Sequence, residues 1–256
     1  MMLSVQNLDK RFGGVHATRN VSIDFPAGSL TAIIGPNGAG KTTFFNLISG
    51  AFRPNSGKVI FDGQDIVGKS SLEVVRLGMM RAFQVAEIFP SLTVNEALTA
   101  AVISHQRKSW TFMSRFPVPE AQTSAEEIIE LLGLEDKADT LSRNLSHGDQ
   151  KLLDIGLALA MQPKVLLLDE PTAGMGPDER WRMIGKVQHL WSVKKMTVLF
   201  IEHDMDIVFK IAQQIHVLKY GAVLATGTAD EIRRNQDVID AYLGTDHHLS
   251  EAIGET

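Results

Sequence analysis

The sequence predicts an α/β fold whose strand-rich ends close on each other around a helical middle. Three observations carry this. An apolar run, "GSLTAIIG", leads into a glycine-rich turn and a helical stretch. Two later runs, "KVLLLDE" and "MTVLFIEHD", are each followed by a helical segment, as parallel βα units require. Between them, from about Ser70 to Met161, the pattern is mostly helical.

"LSVQNLDKRF" alternates and predicts a strand, and "GSLTAIIG" predicts a buried one. "TTFFNLISGAF" has apolar positions at helical spacing and ends at Gly50. "SGKVIFDGQDI" predicts a strand and turn. The helical middle breaks at Pro90, at "FPVPE" and at Gly133. "IHVLKYGAVLATG" predicts a hairpin turning at "YG", and the polar tail "GTDHHLSEAIGET" is expected to fray. Each motif below occurs once.

At 256 residues and 44% hydrophobic, the chain suits one large domain, or one domain with an inserted subdomain. A net charge of -5 gives no reason to expect nucleic acid as the main partner. The absence of cysteine excludes disulfides and thiolate metal sites, and suits a reducing compartment. "MMLSVQNLDKRFGG" lacks the apolar core of a secretory signal, and runs such as "VLLL" fall far short of the roughly 18 residues a membrane helix needs. The expectation is a chain that meets a bilayer only through a partner.

"GPNGAGKTT" fits G-x-x-x-x-G-K-[ST] at Gly35, Gly40, Lys41 and Thr42. Glycines let backbone N–H groups converge on an anion, and the next helix adds its positive end. Lys41 would reach the β- and γ-phosphates, and the Thr42 hydroxyl would ligate Mg²⁺. The bland alternative is a glycine-rich turn with no ligand. "VLLLDEP" sets Asp169 and Glu170 at a strand's carboxyl end, where α/β sheets bind ligands. Asp169 would face the metal through water, and Glu170 would polarise an attacking water. Alone, this pair is also what a solvated strand end looks like.

In order, "GPNGAGKTT", the Gln of "RAFQ", "LSHGDQ", "LLLDEP" and "EHD" resemble the nucleotide-binding subunits of ATP-binding cassette (ABC) transporters, over nearly the whole chain. "LDKRFGGVHA", "RAFQVAEIFPSLTVNEAL" and "VIDAYLG" look like importers of branched-chain amino acids and related small polar solutes. Cassettes for urea or short-chain amides look similar. The resemblance implies a P-loop NTPase (RecA-like) core with an N-terminal antiparallel β-subdomain and an inserted helical subdomain. Residues 1–84 and 162–244 would form the core and β-subdomain, 85–161 the helical subdomain, and 245–256 the tail.

The resemblance also implies roles. Phe12 would stack on adenine, the lesser alternative being a core aromatic in an N-terminal sheet. Pro36, Asn37, Gly38 and Ala39 complete the phosphate loop, and Thr43 would bond the α-phosphate. Gln84 would touch Mg²⁺ or the attacking water and sense the membrane partner. His203 would contact the γ-phosphate and position the water and Glu170, the proposed base. ATP and Mg²⁺ are thus the implied cofactors, and ATP hydrolysis the implied reaction.

Ser146 of "LSHGDQ" has the pattern of an N-cap, "S-x-x-D" before the helical "QKLLDIGLALAM". A capped helix start is also an anion site. By resemblance, Ser146, His147, Gly148 and Gln150 would serve the neighbour. Two cassettes, identical or merely related, would pack head to tail, each capping the other's γ-phosphate. The common signature is "LSGGQ"; here His147 replaces a Gly and Asp149 stands before Gln150. Many cassettes have "SALDP" where this chain has "AGMGP", so Gly176 replaces an Asp that reaches across the dimer.

"HQRKSWTFMSRF", from His105 to Phe116, mixes basic and aromatic residues. Aromatic packing with solvated cations is the favoured reading, against a membrane surface, nucleic acid or the transporter's membrane subunit. His247 and His248 lack a further ligand. The implied partners are a second cassette, integral membrane permease subunits and, indirectly, a periplasmic or extracellular solute-binding protein. The implied location is peripheral, on the cytoplasmic face of the inner membrane. The alternatives are a soluble cassette ATPase in cofactor assembly and a nucleotide-sensing module without turnover.

Overall fold

The computed structural model describes residues 1–82, 89–105 and 119–243. The described chain divides into two compact units. Of the described residues, the first comprises 1–79, 164–170 and 195–243, and the second 80–82, 89–105, 119–163 and 171–194.

In the first unit, β1 (Leu3–Phe12) pairs antiparallel with β2 (Val15–Phe25), and the chain then enters β3 (Leu30–Ile34) and α1 (Lys41–Ile48). β4 (Ser56–Phe61) returns antiparallel to β1 and carries the two-residue β5 (Gln64–Asp65), giving a sheet of order β2-β1-β4-β5. α2 (Ser71–Leu77) starts in a Ser70–Glu73 capping box and stops at Gly78, whose left-handed φ of 106° ends the helix. β6 (Met79–Ala82) opens directly after it. The helical pattern expected from Ser70 therefore breaks for a strand. Four residues are too few to show a period, so propensity alone could not place it. β2 was likewise not foreseen: its buried positions alternate only toward its end.

β7 (Val165–Asp169) and β8 (Thr197–Ile201) are buried along their whole length. β9 (Gln214–Lys219) and β10 (Ala222–Gly227) form the expected hairpin. Tyr220 and Gly221 both hold positive φ, 50° and 80°, which suits its tight turn. β3 lies between β8 and β9, parallel to both, in a second sheet whose order within this unit is β10-β9-β3-β8-β7. Phe44, Phe45 and Ile48 of α1 enter one core with Phe25, Phe61, Leu167 and Ile201, which joins the two sheets. α7 (Met205–Ile211), α8 (Ala229–Arg233) and α9 (Gln236–Leu243) complete this unit.

The second unit holds α3 (Val94–His105), α4 (Pro119–Leu132), α5 (His147–Ala160) and α6 (Pro177–Lys194). α3, α4 and α5 pack mutually. Gly156 lets α5 close on its neighbours: a β-carbon there would lie 2.7 Å from Leu132 Cδ1. Among the described residues, no helix is long and apolar enough to cross a membrane.

Candidate functional site

Three parallel strands of the first unit end at one edge, and the chemistry gathers there. β3 runs into the glycine-rich loop, β7 ends at Asp169 with Glu170 next, and β8 ends at Ile201, just before His203. Their carboxyl ends border a cleft of 580 Å³ lined by Phe12, Arg19, Lys41, Glu170, His203 and Tyr220, among others. That volume lies in the usual range for small-molecule sites.

Two of the loop's glycines leave no room for a side chain. A β-carbon on Gly35 would sit 2.1 Å from the Leu218 carbonyl oxygen, and one on Gly40 2.3 Å from that of Ala17. Gly40 precedes α1 with a left-handed φ of 100°, and no side chain caps the helix, so its first N–H groups are left for an anion. Thr42 and Thr43 line the cleft at this helix start. Lys41 is only 6% exposed, and its Nζ donates to the carbonyls of Gly35 at 2.7 Å and Pro36 at 3.2 Å. Burial pushes its pKa below the ordinary 10.5, against the upward pull of the Glu170 and Asp169 carboxylates.

Glu170 is held in a left-handed conformation, φ 49°. Such a conformation costs a non-glycine residue of order 1–3 kcal/mol and persists only where the surroundings fix it. Here its N–H donates to the Ile201 carbonyl at 3.0 Å, and its Oε1 lies 2.9 Å from His203 Nε2. Strain, a carboxylate and an imidazole thus coincide beside the loop. The carboxylate can accept a proton from water, and the imidazole can orient it.

Phe12 is no core residue. Its ring is 43% exposed, meets Phe52 edge-on at 5.4 Å between centroids, and has Lys10 Nζ 4.9 Å from its centre. An exposed flat ring on a cleft wall suits a purine. Sequence reasoning missed the rest of that wall: His16, paired with Asp9 at 2.7 Å, Arg19 and the exposed Tyr220. For Tyr220 the "YG" turn was the available signal; His16 and Arg19 gave none.

Two oxygen donors suit a hard divalent cation, the Thr42 hydroxyl and the Asp169 carboxylate, which is 3% exposed. Among the described residues no group of three or more His, Asp or Glu forms a ready-made metal cage. A cation held by one or two protein oxygens and by phosphates fits magnesium. Gln84 lies outside the described residues, as do most of "HQRKSWTFMSRF", His247 and His248.

In the second unit, Ser146 is the N-cap of α5. Its Oγ accepts the Asp149 N–H at 3.2 Å and donates to Asp149 Oδ2 at 2.7 Å, while Lys137 Nζ reaches the same carboxylate oxygen at 2.8 Å. That carboxylate raises the Lys137 pKa. The exposed His147 ring lies beside Gly174, Gln150 Nε2 donates to the Leu145 carbonyl, and Glu179 covers Gly148. A β-carbon on Gly148 would sit 2.3 Å from Glu179 Oε1. Gly176, by contrast, faces open space and holds an ordinary φ, so nothing in the backbone requires glycine there.

Residues 18–173 match the family model described as "ABC transporter", and residues 222–248 that of "Branched-chain amino acid ATP-binding cassette transporter". The chain is 38% identical to the high-affinity branched-chain amino acid transport ATP-binding protein LivG of Escherichia coli (strain K12), over 95% of this chain and 98% of that one. It is 39% identical to the probable LivG of Archaeoglobus fulgidus, over 95% of each. Among solved structures, the ADP conformation of an ATP-binding cassette of an ABC transporter superposes with a TM-score of 0.81 at 31% identity, covering 95% of this chain and 98% of that one.

Proposed function

The chain belongs to the ABC transporter family, and on that premise we propose that it is the ATP-binding and ATP-hydrolysing subunit of an importer of branched-chain or other amino acids. The observation that carries the amino-acid reading is the match over residues 222–248, because this stretch lies outside the nucleotide motifs that cassettes of every cargo share. The 38% identity to LivG points the same way.

The cleft of the first unit supplies the chemistry. The adenine would stack on Phe12, and the phosphates would lie on the N–H groups from Gly35 to Thr43, with Lys41 turned from its own loop carbonyls toward them. Thr42 and Asp169 would hold Mg²⁺, which neutralises phosphate charge when bound. Gln84 is assigned to the metal or the water by resemblance. Glu170 accepts the proton of the attacking water, and His203 keeps its carboxylate aimed. Phosphoryl transfer needs little covalent help, so positioning of this kind carries most of the rate.

A single copy each of the phosphate loop and of the Ser146 cap supports a head-to-tail pair of cassettes. In it Ser146, His147, Gly148 and Gln150 meet the partner's γ-phosphate. The Ser146 hydroxyl must then leave Asp149, and Glu179 must leave Gly148. Residues 1–84 and 162–244 are proposed as the catalytic core with its β-subdomain, 85–161 as the helical subdomain and 245–256 as a tail. Permease subunits would hold the pair on the cytoplasmic face of the membrane, with a solute-binding protein across it. The test is reconstitution with permease subunits and a solute-binding protein drawn from the same genome. ATP turnover should rise with leucine, isoleucine or valine. Stimulation by urea or short amides instead would reassign the solute, and failure to engage any membrane subunit would refute the importer.

A further inference from the structure

The start of α5 carries a negative charge where the proposed dimer brings a phosphate. Asp149 stands in its first turn, with its side chain 17% exposed. Its Oδ2 takes two donors, the Ser146 hydroxyl at 2.7 Å and the Lys137 ammonium at 2.8 Å. Lys137 is brought there by the break that ends α4. Gly133 turns the chain with a left-handed φ of 66°, and the N–H groups of Gly133 and Leu134 donate back to the Glu130 and Ile129 carbonyls. A short 3-10 turn, Glu135–Lys137, follows. It is tied at its end, where the Lys137 N–H donates to the Leu134 carbonyl at 3.0 Å and the Lys137 carbonyl accepts the Thr140 N–H at 2.9 Å. Lys137, Ser146, Gly148 and Asp149 line one cavity of 490 Å³, with Glu179 and Arg182 beside them.

We infer that Lys137 is a positioning residue for the composite ATP site, its ammonium holding and neutralising Asp149 so that the Ser146 hydroxyl can turn to the partner's γ-phosphate. The inference rests on the reading that Ser146 meets that phosphate. Two physical reasons support it. An unneutralised carboxylate in the first turn would repel the phosphate from N–H groups that otherwise attract it. The ion pair cancels that repulsion and leaves the positive end of α5 to act on the anion. When the Ser146 hydroxyl turns away, Asp149 also loses one of its two donors, and a largely buried carboxylate without a donor is costly. Lys137 stays on the same oxygen, so the turn of one hydroxyl strands no charge.

The test is ATP-driven pairing of the full chain, followed by sedimentation in the Glu170→Gln background. Lys137→Met removes the charge and keeps an unbranched side chain, and pairing should weaken about tenfold. Lys137→Arg restores the charge and should pair within about twofold of the parent. Adding Asp149→Asn to Lys137→Met removes the charge that needed cancelling and should recover pairing to within about threefold of the parent. Asp149→Asn alone should tighten pairing by about two- to fivefold, because the cation stays while the opposing charge goes. That result holds even if Lys137→Met folds poorly. A pair that merely braced the fold would weaken pairing in both single variants and again in the double. That pattern overturns the inference, as does parental pairing in Lys137→Met or weaker pairing in Asp149→Asn. If Ser146→Ala pairs like the parent, the reading of the composite site falls first, and the inference with it.

Discussion

Glu170 and His203 should behave as one unit, and a double-mutant cycle measures it. Glu170→Gln keeps the shape of the side chain and an oxygen for His203, but removes the basic carboxylate. Turnover should fall about 10²- to 10⁴-fold, the usual contribution of a positioned base, while ATP affinity is unchanged because no phosphate ligand is lost. His203→Ala removes the partner 2.9 Å from Glu170 Oε1. A hydrogen bond to a charged group contributes roughly 1.5–3 kcal/mol. The His203 side chain is 46% exposed and that of Glu170 22%, so solvent screening favours the lower end, about 1.5 kcal/mol or tenfold in rate. His203 loses this orienting share only where there is a carboxylate to orient. The double variant should therefore turn over about tenfold faster than the product of the two single losses implies. Single-turnover phosphate release at saturating ATP gives all four rates. If the losses multiply, His203 acts on the phosphate alone; if Glu170→Gln hydrolyses like the parent, Glu170 is not the base.

Phe12→Ala should raise KM for ATP by about tenfold with little change in kcat, since stacking on an aromatic is worth about 1–3 kcal/mol per base; a fluorescent-nucleotide titration shows whether the loss is in binding. Glu179→Gln removes a carboxylate from above Gly148 and should tighten ATP-driven pairing by about two- to fivefold, read by sedimentation in the Glu170→Gln background; weaker pairing would mean that Glu179 contributes to the contact. His216 is 3% exposed, and burial pushes its pKa down from 6.5 to about 4. The unfolded chain thus binds the extra proton first, and stability is full above about pH 6.5 and falls as pH drops toward 4. The loss attributable to this residue is about 3 kcal/mol. Urea unfolding across that window should show the slope in the parent and a flatter one in His216→Leu, whatever the absolute stability of the variant.

What the sequence disclosed was whatever chemistry is written in consecutive residues. "GPNGAGKTT" names its own strand, turn and helix, and β3 and α1 stand where it puts them. "VLLLDE" ends a wholly buried strand, so Asp169 and Glu170 could only project from its end. Ser146 was legible as a cap for the same reason, since the N–H it accepts belongs to Asp149 in the next turn. The opposite wall of the cleft is non-local. β1 and β2 pair through register shifts at Val5/Leu8, Leu8/Lys10 and Lys10/Arg11, and these irregularities decide where Phe12, His16 and Arg19 fall. No period in the sequence encodes a bulge. Nor does any local signal tell that Glu179, from another helix, covers Gly148.

The contacts that fix the cleft's backbone come from all along the first unit. The Gly221 N–H in the β9–β10 turn donates to the Ala39 carbonyl at 3.0 Å, and the Gly221 carbonyl in turn accepts the Arg19 N–H at 2.7 Å. The phosphate loop, the hairpin bearing Tyr220 and the strand bearing Arg19 are thus tied to one another. Glu170 is strained but anchored to Ile201. Lys41 is the exception. Its amine rests on the loop's own carbonyls, bonds that the proposed ATP site would exchange for phosphate. On that proposal, binding energy would be spent mainly on moving one side chain and not on ordering a loop, which would keep the ordering cost of each catalytic cycle small. An enzyme that must bind and release nucleotide repeatedly gains from that arrangement, because affinity can stay modest while the catalytic geometry stays fixed.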